Sequence, residues 1–518
     1  MSMETIPMPA DGLAGQSLAQ GPHEQRNDGR FLISASLFMS AVVGCGTCIR
    51  IIEQHTRLSP LLVAIPFFML LMIIELVILK TCRIRSAAAQ YTISGIINSV
   101  CAGVVQQIGG MAMKRVGLHL LSYGWFHQRY CVAYFFPMTG KYLGPPLSVL
   151  AVDLCYYFAH RLGHQLGFIW AGHHVHHNSD EYNLSTALKQ SWLSQVFTRF
   201  VYLPLSLFMA HSRFVRLMEW NLIYQFWVHT CCIRRLSVLE LFLTTPSNHR
   251  VHHDRRYHKN FGGIFCVWDR IFGTFMDEAS LACVGSAEKL ASKRGQSLLM
   301  LGVDGDELAY FGTTAPQVSY VEDLLQLQQP KHLLRKVACT SGLFNKITCL
   351  WPGPGYYTAV DWENKSIPRP TQLPSRRIRM RSVLRNTSGK LYVALHFVAA
   401  LVMFAECLAS QPTLASVQLC VALMPMALGL LSIACTLDGM AKAAMVEIIR
   451  CMGMFVICLR VVRWARMQET AVPKAYFGTL FYMVSTMFLL GYRHALEVSP
   501  TDSIHPCRWA RVSKDKRA

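Results

Sequence analysis

The chain has 518 residues, of which 52% are hydrophobic and 15% charged, with a formal net charge of +20 and a mean hydropathy of +0.28. Soluble domains carry about 25% charged residues, so this composition excludes an ordinary soluble protein and predicts a multi-pass membrane protein. The basic residues flank apolar stretches and do not form one stripe with interleaved aromatics, which disfavours a nucleic-acid-binding protein. Most of the cysteines lie in apolar stretches and are expected to be reduced thiols.

Eight apolar stretches are predicted to cross about 30 Å of hydrocarbon as helices. They are residues 31–48, 59–79, 143–158, 193–210, 391–408, 414–437, 446–462 and 475–492. Residues 91–105 and 214–228 are weaker candidates, and the region 92–130 is expected to lie at the membrane interface. The predicted fold class is therefore an all-α, polytopic membrane helical bundle.

The pattern divides the chain into six parts. They are a disordered arm at 1–30, N-terminal spans with an interfacial segment at 31–142, a catalytic core at 143–275, an amphipathic cytosolic segment at 276–390, C-terminal spans at 391–492 and a basic cytosolic tail at 493–518. The arm contains prolines and no apolar period that a core could bury. The C-terminal spans contain no recognisable motif.

Eight histidines fall into three groups with helical spacing. The groups are His160 and His164, then His173, His176 and His177, and finally His249, His252 and His253. Residues three or four apart share a helix face, so each group can aim its imidazoles at one point. Neutral imidazole is a ligand for iron, zinc, copper and nickel, and eight ligands exceed the needs of one four-coordinate ion. The spacing therefore favours a pair of metal ions over histidines that merely fill polar niches.

Asp153 lies seven residues before His160, on the same face of the predicted helix. It is a candidate catalytic-site residue that accepts the second N–H of a ligating imidazole or fixes a neighbouring ligand. An aspartate at the end of a span that is simply solvated is the alternative. His174 and His258 lie near the groups but off their spacing, and neither is a predicted ligand.

The arrangement D-x-x-x-Y-x-x-H-x-x-x-H followed by two H-x-x-H-H boxes resembles the fatty acid hydroxylase and sterol desaturase superfamily of membrane di-iron oxygenases. His229 resembles a histidine that recurs between the boxes in this superfamily and is a predicted ninth ligand. Within the superfamily, four stretches resemble the alkylglycerol monooxygenase family. They are residues 173–191, 245–253, 268–275 and 343–355.

This resemblance covers residues 143–357 and implies a function. It implies that the histidines hold two ferrous ions that activate O₂, with tetrahydrobiopterin as a further cofactor. The substrate would be an alkylglycerol or related ether lipid, hydroxylated at its ether-linked carbon, and the product would separate into a fatty aldehyde and a glycerol. It also implies an enzyme of the endoplasmic reticulum membrane whose metal site faces the cytosol.

Two positions depart from the family pattern. Gln165 stands where a glutamate is common, and Phe261 stands where a tyrosine is common. Two alternatives remain open at this point. One is a cytochrome-b5-dependent sterol or fatty-acyl hydroxylase or desaturase of the same superfamily, and the other is a non-catalytic membrane transporter or receptor.

Overall fold

The structure is a computed structural model, and its described part consists of thirteen stretches. These are residues 22–56, 58–81, 89–115, 123–130, 144–179, 181–233, 235–254, 258–278, 319–353, 387–410, 414–440, 442–467 and 473–492. Within these stretches the chain is helical and forms two isolated β-bridges but no strand. The predicted all-α class is confirmed.

Eighteen α-helices follow one another along the described chain. They are α1 (Pro22–Thr56), α2 (Pro60–Thr81), α3 (Ile93–Arg115), α4 (Tyr123–Tyr130), α5 (Gly144–Gln165), α6 (Gly167–His177), α7 (Leu184–Ala187), α8 (Trp192–Tyr202), α9 (His211–Trp227), α10 (Pro246–His253), α11 (Val267–Ile271), α12 (Tyr320–Leu324), α13 (Gln328–Cys339), α14 (Leu343–Thr348), α15 (Thr387–Ser410), α16 (Ser416–Leu437), α17 (Ala443–Met467) and α18 (Pro473–Tyr492). Short 3₁₀ helices cover Leu203–Leu207 and Ser237–Leu241.

Five helical segments among the described residues are long and apolar enough to cross a membrane. They are Ala35–Thr56, Pro60–Thr81, Ile93–Met113, Thr387–Leu408 and Ser416–Leu437. The chain is therefore a multi-pass membrane protein. Four of the eight predicted spans coincide with these segments. The fifth segment, Ile93–Met113, overlaps the weak candidate 91–105 and lies in the region that was expected at the membrane interface.

The predicted spans at 143–158 and 193–210 are not among these five segments. Helix α5 covers most of the first region but carries Asp153 and two histidines toward a buried site. In the second region α8 has only 11 residues and gives way to the 3₁₀ helix Leu203–Leu207, which contains Pro204. A span needs about 20 residues of continuous helix, and proline interrupts the helical hydrogen bonds.

The N-terminal helix begins earlier than the sequence predicted. Residues 22–30, assigned to a disordered arm, form the first turns of α1, and residues 1–21 lie outside the described part. Pro22 occupies the first helical position, where its fixed φ and missing N–H are tolerated, and Glu24, Gln25 and Arg26 have good helix propensity. The span's helix is thus extended toward the N-terminus.

Three hydrophobic cores surround the histidine-bearing elements. The first joins α1, α2 and α9, the second joins α3 and α12 to the C-terminal helices α15–α18, and the third joins α4, α5 and the end of α8. Helices α5 and α6 pack against each other and against α8. The histidines therefore project into a space enclosed on several sides by packed helices.

Candidate metal centre

Three helices and one turn carry the nine predicted ligand residues. Helix α5 carries His160 and His164, α6 and α10 carry the two H-x-x-H-H boxes, and His229 follows directly on α9. The predicted helical conformation of all three histidine groups is confirmed. Eight of the nine side chains are buried, with exposures of 2–6%.

One set of five histidines, the five-histidine group, comprises His160, His164, His173, His177 and His252. The nitrogens that these rings can offer lie within 4.8 Å of one another. The Nε2 atom of His173 lies 3.1 Å from that of His160 and 3.0 Å from that of His177. The Nε2 atom of His252 lies 3.2 Å from that of His177. Four rings thus turn the same nitrogen toward one point.

A second set, the four-histidine group, comprises His176, His229, His249 and His253. The Nε2 atom of His229 lies 3.2 Å from that of His176 and 3.0 Å from that of His249. The Nε2 atoms of His249 and His253 lie 3.1 Å apart. The structure therefore brings His229 together with the motif histidines and divides all nine residues between two groups.

These spacings suit ligands around metal ions. With metal–nitrogen bonds of about 2.0–2.1 Å, nitrogens bound to one ion lie roughly 3.0–3.4 Å apart. Within the described residues the Nε2 atom of His164 is buried and has no hydrogen-bond partner, which is costly unless another group supplies an interaction. The donor set is entirely imidazole in both groups and fits first-row ions, iron among them.

The division between the groups follows from helix geometry. On α6, His173 and His177 are four apart and serve the five-histidine group, whereas His176 points about 100° away from His177 and serves the other. On α10 the assignment is reversed. His249 and His253, which are four residues apart, belong to the four-histidine group, and His252 belongs to the five-histidine group. Each H-x-x-H-H box therefore contributes to both groups.

Backbone carbonyls fix the orientation of several rings. The Nδ1–H group of His160 donates to the carbonyl of Phe261 at 2.9 Å, and that of His176 donates to Lys189 at 3.1 Å. His229 donates to Gln225 at 2.8 Å and His252 to Lys259 at 3.0 Å. A proton held on Nδ1 leaves the lone pair on Nε2, which faces the group.

The environment keeps the imidazoles neutral. Burial lowers the pKa of His160 and of His229 to about 4. Burial, reinforced by the neighbouring rings, holds the pKa of the other seven well below the usual value. Metal ligation requires the neutral form of histidine, so the site is ready for a cation at neutral pH.

Among the described residues, the hydrogen-bond partners of Asp153 do not include a histidine ring. Its side chain is fully buried and accepts four hydrogen bonds, from Asn221 Nδ2 at 2.8 Å, Ile264 N at 2.7 Å, Phe265 N at 3.0 Å and Trp268 Nε1 at 3.0 Å. The expectation that it accepts an imidazole N–H, and the alternative that it is solvated, are both wrong. It holds the loop that follows the second box.

That loop connects Asp153 to the site indirectly. Asp269 accepts hydrogen bonds from the backbone N–H groups of Phe261 and Gly262, at 2.7 and 2.8 Å. Gly263 passes so close to Asp153 that an added Cβ would lie 2.7 Å from its Oδ1 atom. The two buried carboxylates thus hold the loop from opposite ends, and the Phe261 carbonyl between them orients His160.

Sequence spacing missed His258. Its Nδ1 atom lies 3.3 Å from Nδ1 of His164, which places it beside the five-histidine group. It lies five residues after His253 and outside α10, so no helical period marks it. Of the two departures from the family pattern, Gln165 is exposed, whereas Phe261 is buried with its ring 5.3 Å from that of His164.

A segment distant in sequence fixes the junction between α5 and α6. Gly167 N donates to Trp351 O at 3.0 Å and Phe168 N donates to Leu350 O at 3.1 Å. A Cβ added at Gly353 would lie 2.7 Å from the carbonyl oxygen of Gln165. Residues 343–353 therefore lie against the point where the two histidine helices meet, which gives this family-like stretch a structural role.

Arg250, inside the second H-x-x-H-H box, anchors α10. Its guanidinium donates two hydrogen bonds to Glu278, at 2.7 and 2.8 Å, and two more to the carbonyls of Thr230 and Ile233. Both ionised side chains are buried, with exposures of 5% and 4%. This network ties α10 to the turn that carries His229.

Comparison with known proteins agrees with this geometry. The fatty acid hydroxylase family model matches residues 146–274, which contain Asp153 and all nine histidines. The model of the alkylglycerol monooxygenase C-terminal domain matches residues 389–476. The C-terminal block, in which sequence patterns alone showed no motif, therefore resembles a known domain too. No solved structure matches the chain.

Several relatives are named alkylglycerol monooxygenase. The chain is 32% identical to the protein from Homo sapiens over 402 residues, which cover 77% of this chain and 82% of that protein. It is 30% identical to the one from Danio rerio over 432 residues, covering 82% and 87%. It is 28% identical to the one from Xenopus tropicalis over 392 residues, covering 74% and 79%.

Membrane-spanning helices together with a buried, divided set of imidazoles define a membrane protein of the fatty acid hydroxylase class. The similarity extends over most of the chain on both sides of that core. The chain belongs to the alkylglycerol monooxygenase family.

Proposed function

We propose that this protein is a membrane monooxygenase that hydroxylates the ether-linked carbon of alkylglycerol lipids. The observation that carries the proposal is the pair of buried histidine groups in a chain similar over 77% of its length to a protein named for this activity. One oxygen atom of O₂ enters the C–H bond beside the ether oxygen and the other leaves as water, with two electrons from a reductant. The resulting hemiacetal separates into a fatty aldehyde and a glycerol.

We propose that the nine histidines hold two iron ions, which would supply the activation of O₂. The chain's own residues supply orientation and exclusion of water. The carbonyls of Phe261 and Lys189 hold the rings of His160 and His176. Phe261 closes one side of the five-histidine group with an apolar ring. Asp153 is proposed to act as a positioning residue, because its bonds hold the loop and touch no ligand.

A cavity beside the centre offers a place for the alkyl chain. It has a volume of about 450 Å³, within the roughly 300–1,000 Å³ typical of ligand pockets, and lies between α1, α2 and α9. Val43, Phe67 and Leu71 are among its apolar lining residues. Its lining also includes Trp227, two residues before His229, and Thr245, which caps α10. The cavity thus runs from the membrane helices to the elements that carry the four-histidine group.

A second cavity of about 420 Å³ shares Gly46, Trp220 and Ile264 with the first. It adds Thr47, Arg50 and Asn221, which bring polar groups to a space lined mainly by apolar residues. The two volumes therefore suit a molecule with one apolar chain and a polar end. We propose that the ether lipid enters from the bilayer between α1 and α2, with its chain in the larger cavity.

We propose further that the enzyme resides in the endoplasmic reticulum membrane with its metal face toward the cytosol. Lys80 lies in the last turn of the second span, Arg83 and Arg85 follow it, and five arginines between residues 376 and 385 precede the C-terminal block. Basic residues that flank short loops tend to remain on the cytosolic side.

Turnover by purified full-length protein tests the proposed activity. Protein loaded with ferrous iron and supplied with O₂, tetrahydrobiopterin and a 1-O-alkylglycerol is expected to release one fatty aldehyde per ether cleaved. A 1-acylglycerol of the same chain length is the control and should yield none, because its ester carbon has no C–H bond to hydroxylate. Aldehyde formation that needs cytochrome b5 and its reductase instead of the pterin would overturn the cofactor assignment. Absence of aldehyde with either reductant would overturn the function.

A further inference from the structure

Helix α12 lies outside the elements that carry the histidines, and it contacts the chain beside the four-histidine group. Asp323, on α12, forms an ion pair with Lys189 at 2.9 Å, and both side chains are 1% exposed. Asp323 also accepts a hydrogen bond from Asn178, the residue that caps the C-terminus of α6. One buried carboxylate therefore touches both the end of the first H-x-x-H-H helix and the segment that follows it.

The segment that α12 and Gln326 contact, residues 189–191, orients His176. The backbone carbonyl of Lys189 accepts the hydrogen bond from Nδ1 of His176 at 3.1 Å. Next to it, Gln326 donates to the carbonyl of Gln190 at 3.2 Å and accepts from Ser191 Oγ at 2.7 Å. Three consecutive residues are thus held by Asp323 of α12 and by Gln326, two residues after that helix ends. A shift of this segment would move the carbonyl to which His176 is bonded.

Helix α12 is in turn held by the C-terminal membrane block. Asp438, which caps α16, accepts hydrogen bonds from Ser319 Oγ at 2.7 Å, Tyr320 N at 2.8 Å and Val321 N at 3.1 Å. The side chains of Tyr320 and Leu324 are buried in the same core as residues of α15–α18. A continuous path of contacts therefore leads from α16 through α12 to the carbonyl behind His176.

We propose that Lys189 and Asp323 are positioning residues for the four-histidine group, and that the C-terminal membrane block holds them in place through Asp438. The proposal rests on one part of the proposed function, which is that the four-histidine group binds a metal. The ion pair acts on the group through the backbone, because the carbonyl of Lys189 accepts the hydrogen bond from Nδ1 of His176. Outer groups that orient ligands typically contribute about 10–100-fold to metal affinity or activity.

The test compares full-length variants by metal content per chain and by kcat and KM. Lys189→Met and Asp323→Asn are expected to weaken metal binding by the four-histidine group, so that metal content falls below the parent's value of about two ions per chain without the group being emptied. The kcat should fall about 10–100-fold with KM within about twofold of the parent. Lys189→Arg, which keeps the cation, should recover most of both. Glu322→Gln is the matched control, because Glu322 is adjacent on α12 but pairs with the exposed Lys331.

Asp438→Asn tests the proposal if the Lys189 and Asp323 variants fail to fold, because Asp438 lies outside the elements that carry the histidines. It is expected to lower metal content and kcat in the same direction, by a smaller factor. Folded Asp323→Asn or Asp438→Asn protein with full metal content and parental kcat would overturn the proposal, as would Lys189→Arg protein as defective as Lys189→Met. Metal content is measured without substrate, so a parent that binds metal but cleaves no ether would contradict the proposed function alone.

Discussion

Replacing His176 by alanine is expected to abolish turnover and to remove the metal from the four-histidine group. The Nε2 atom of His176 lies 3.2 Å from that of His229, and its Nδ1 atom is bonded to a backbone carbonyl, so no neighbouring side chain can take its place. Activity should fall by more than the roughly 100-fold limit typical of residues that only orient a ligand. Elemental analysis and a turnover assay on the purified variant measure both effects.

His174→Ala is the matched control for this variant. His174 lies on the same helix and is 2% exposed, but its ring belongs to neither group. Its loss should lower stability modestly, since a buried side chain is removed, while metal content is retained and activity stays within a few-fold of the parent. A His174→Ala protein as metal-poor as His176→Ala would contradict the division of α6 between the two groups.

Among substitutions at residues other than the nine histidines, Arg250→Met is expected to cause the largest loss of stability. The substitution leaves the Glu278 carboxylate buried without its cation, and breaking a buried ion pair in this way costs about 3–5 kcal/mol. It also frees α10 from the carbonyls of Thr230 and Ile233, so metal should be lost together with thermal stability. Thermal unfolding in detergent and metal analysis give the two readouts.

Lys331→Met provides the comparison. The Lys331 side chain is 45% exposed and pairs with Glu322, which is itself 34% exposed, so its removal should cost no more than about 1 kcal/mol. Equal shifts in melting temperature for the two variants would show that the Arg250 network does not hold α10.

The histidine helices could be predicted because the relevant signal is local. Four-residue spacing places His160 and His164 on one face whatever the rest of the chain does, and the two boxes follow the same rule. The same spacing also implies that each H-x-x-H-H box points its histidines in two directions. Which histidines of the other helices join them depends on how α5, α6 and α10 pack together, and spacing within one helix does not give that packing.

Other parts of the site depend on contacts between distant segments. The sequence placed Asp153 on the face of His160 but could not show that four donors from residues 221–268 already occupy it. His258 reaches His164 through a loop and so has no period to mark it. The carbonyls of Phe261 and Lys189 belong to the backbone, so side-chain patterns in the sequence do not reveal that they orient two candidate ligands, His160 and His176.

The membrane helices were predicted where apolar length was sufficient by itself. The predicted spans at 143–158 and 193–210 do not coincide with such segments, although α5 has 22 residues and only α8, with 11, is short. Residues of both stretches pack in a hydrophobic core of the protein, where buried side chains are as apolar as lipid-facing ones. Proline at 204 was the available signal that the second stretch could not remain helical to its end.

Elemental analysis of full-length protein, produced without added zinc and measured beside its ether-cleaving activity, tests the two-metal centre most directly. Five imidazoles in one group and four in the other predict close to two irons per chain, with activity rising in proportion to iron content. One tightly held zinc, with no iron under any condition of preparation, would contradict the account.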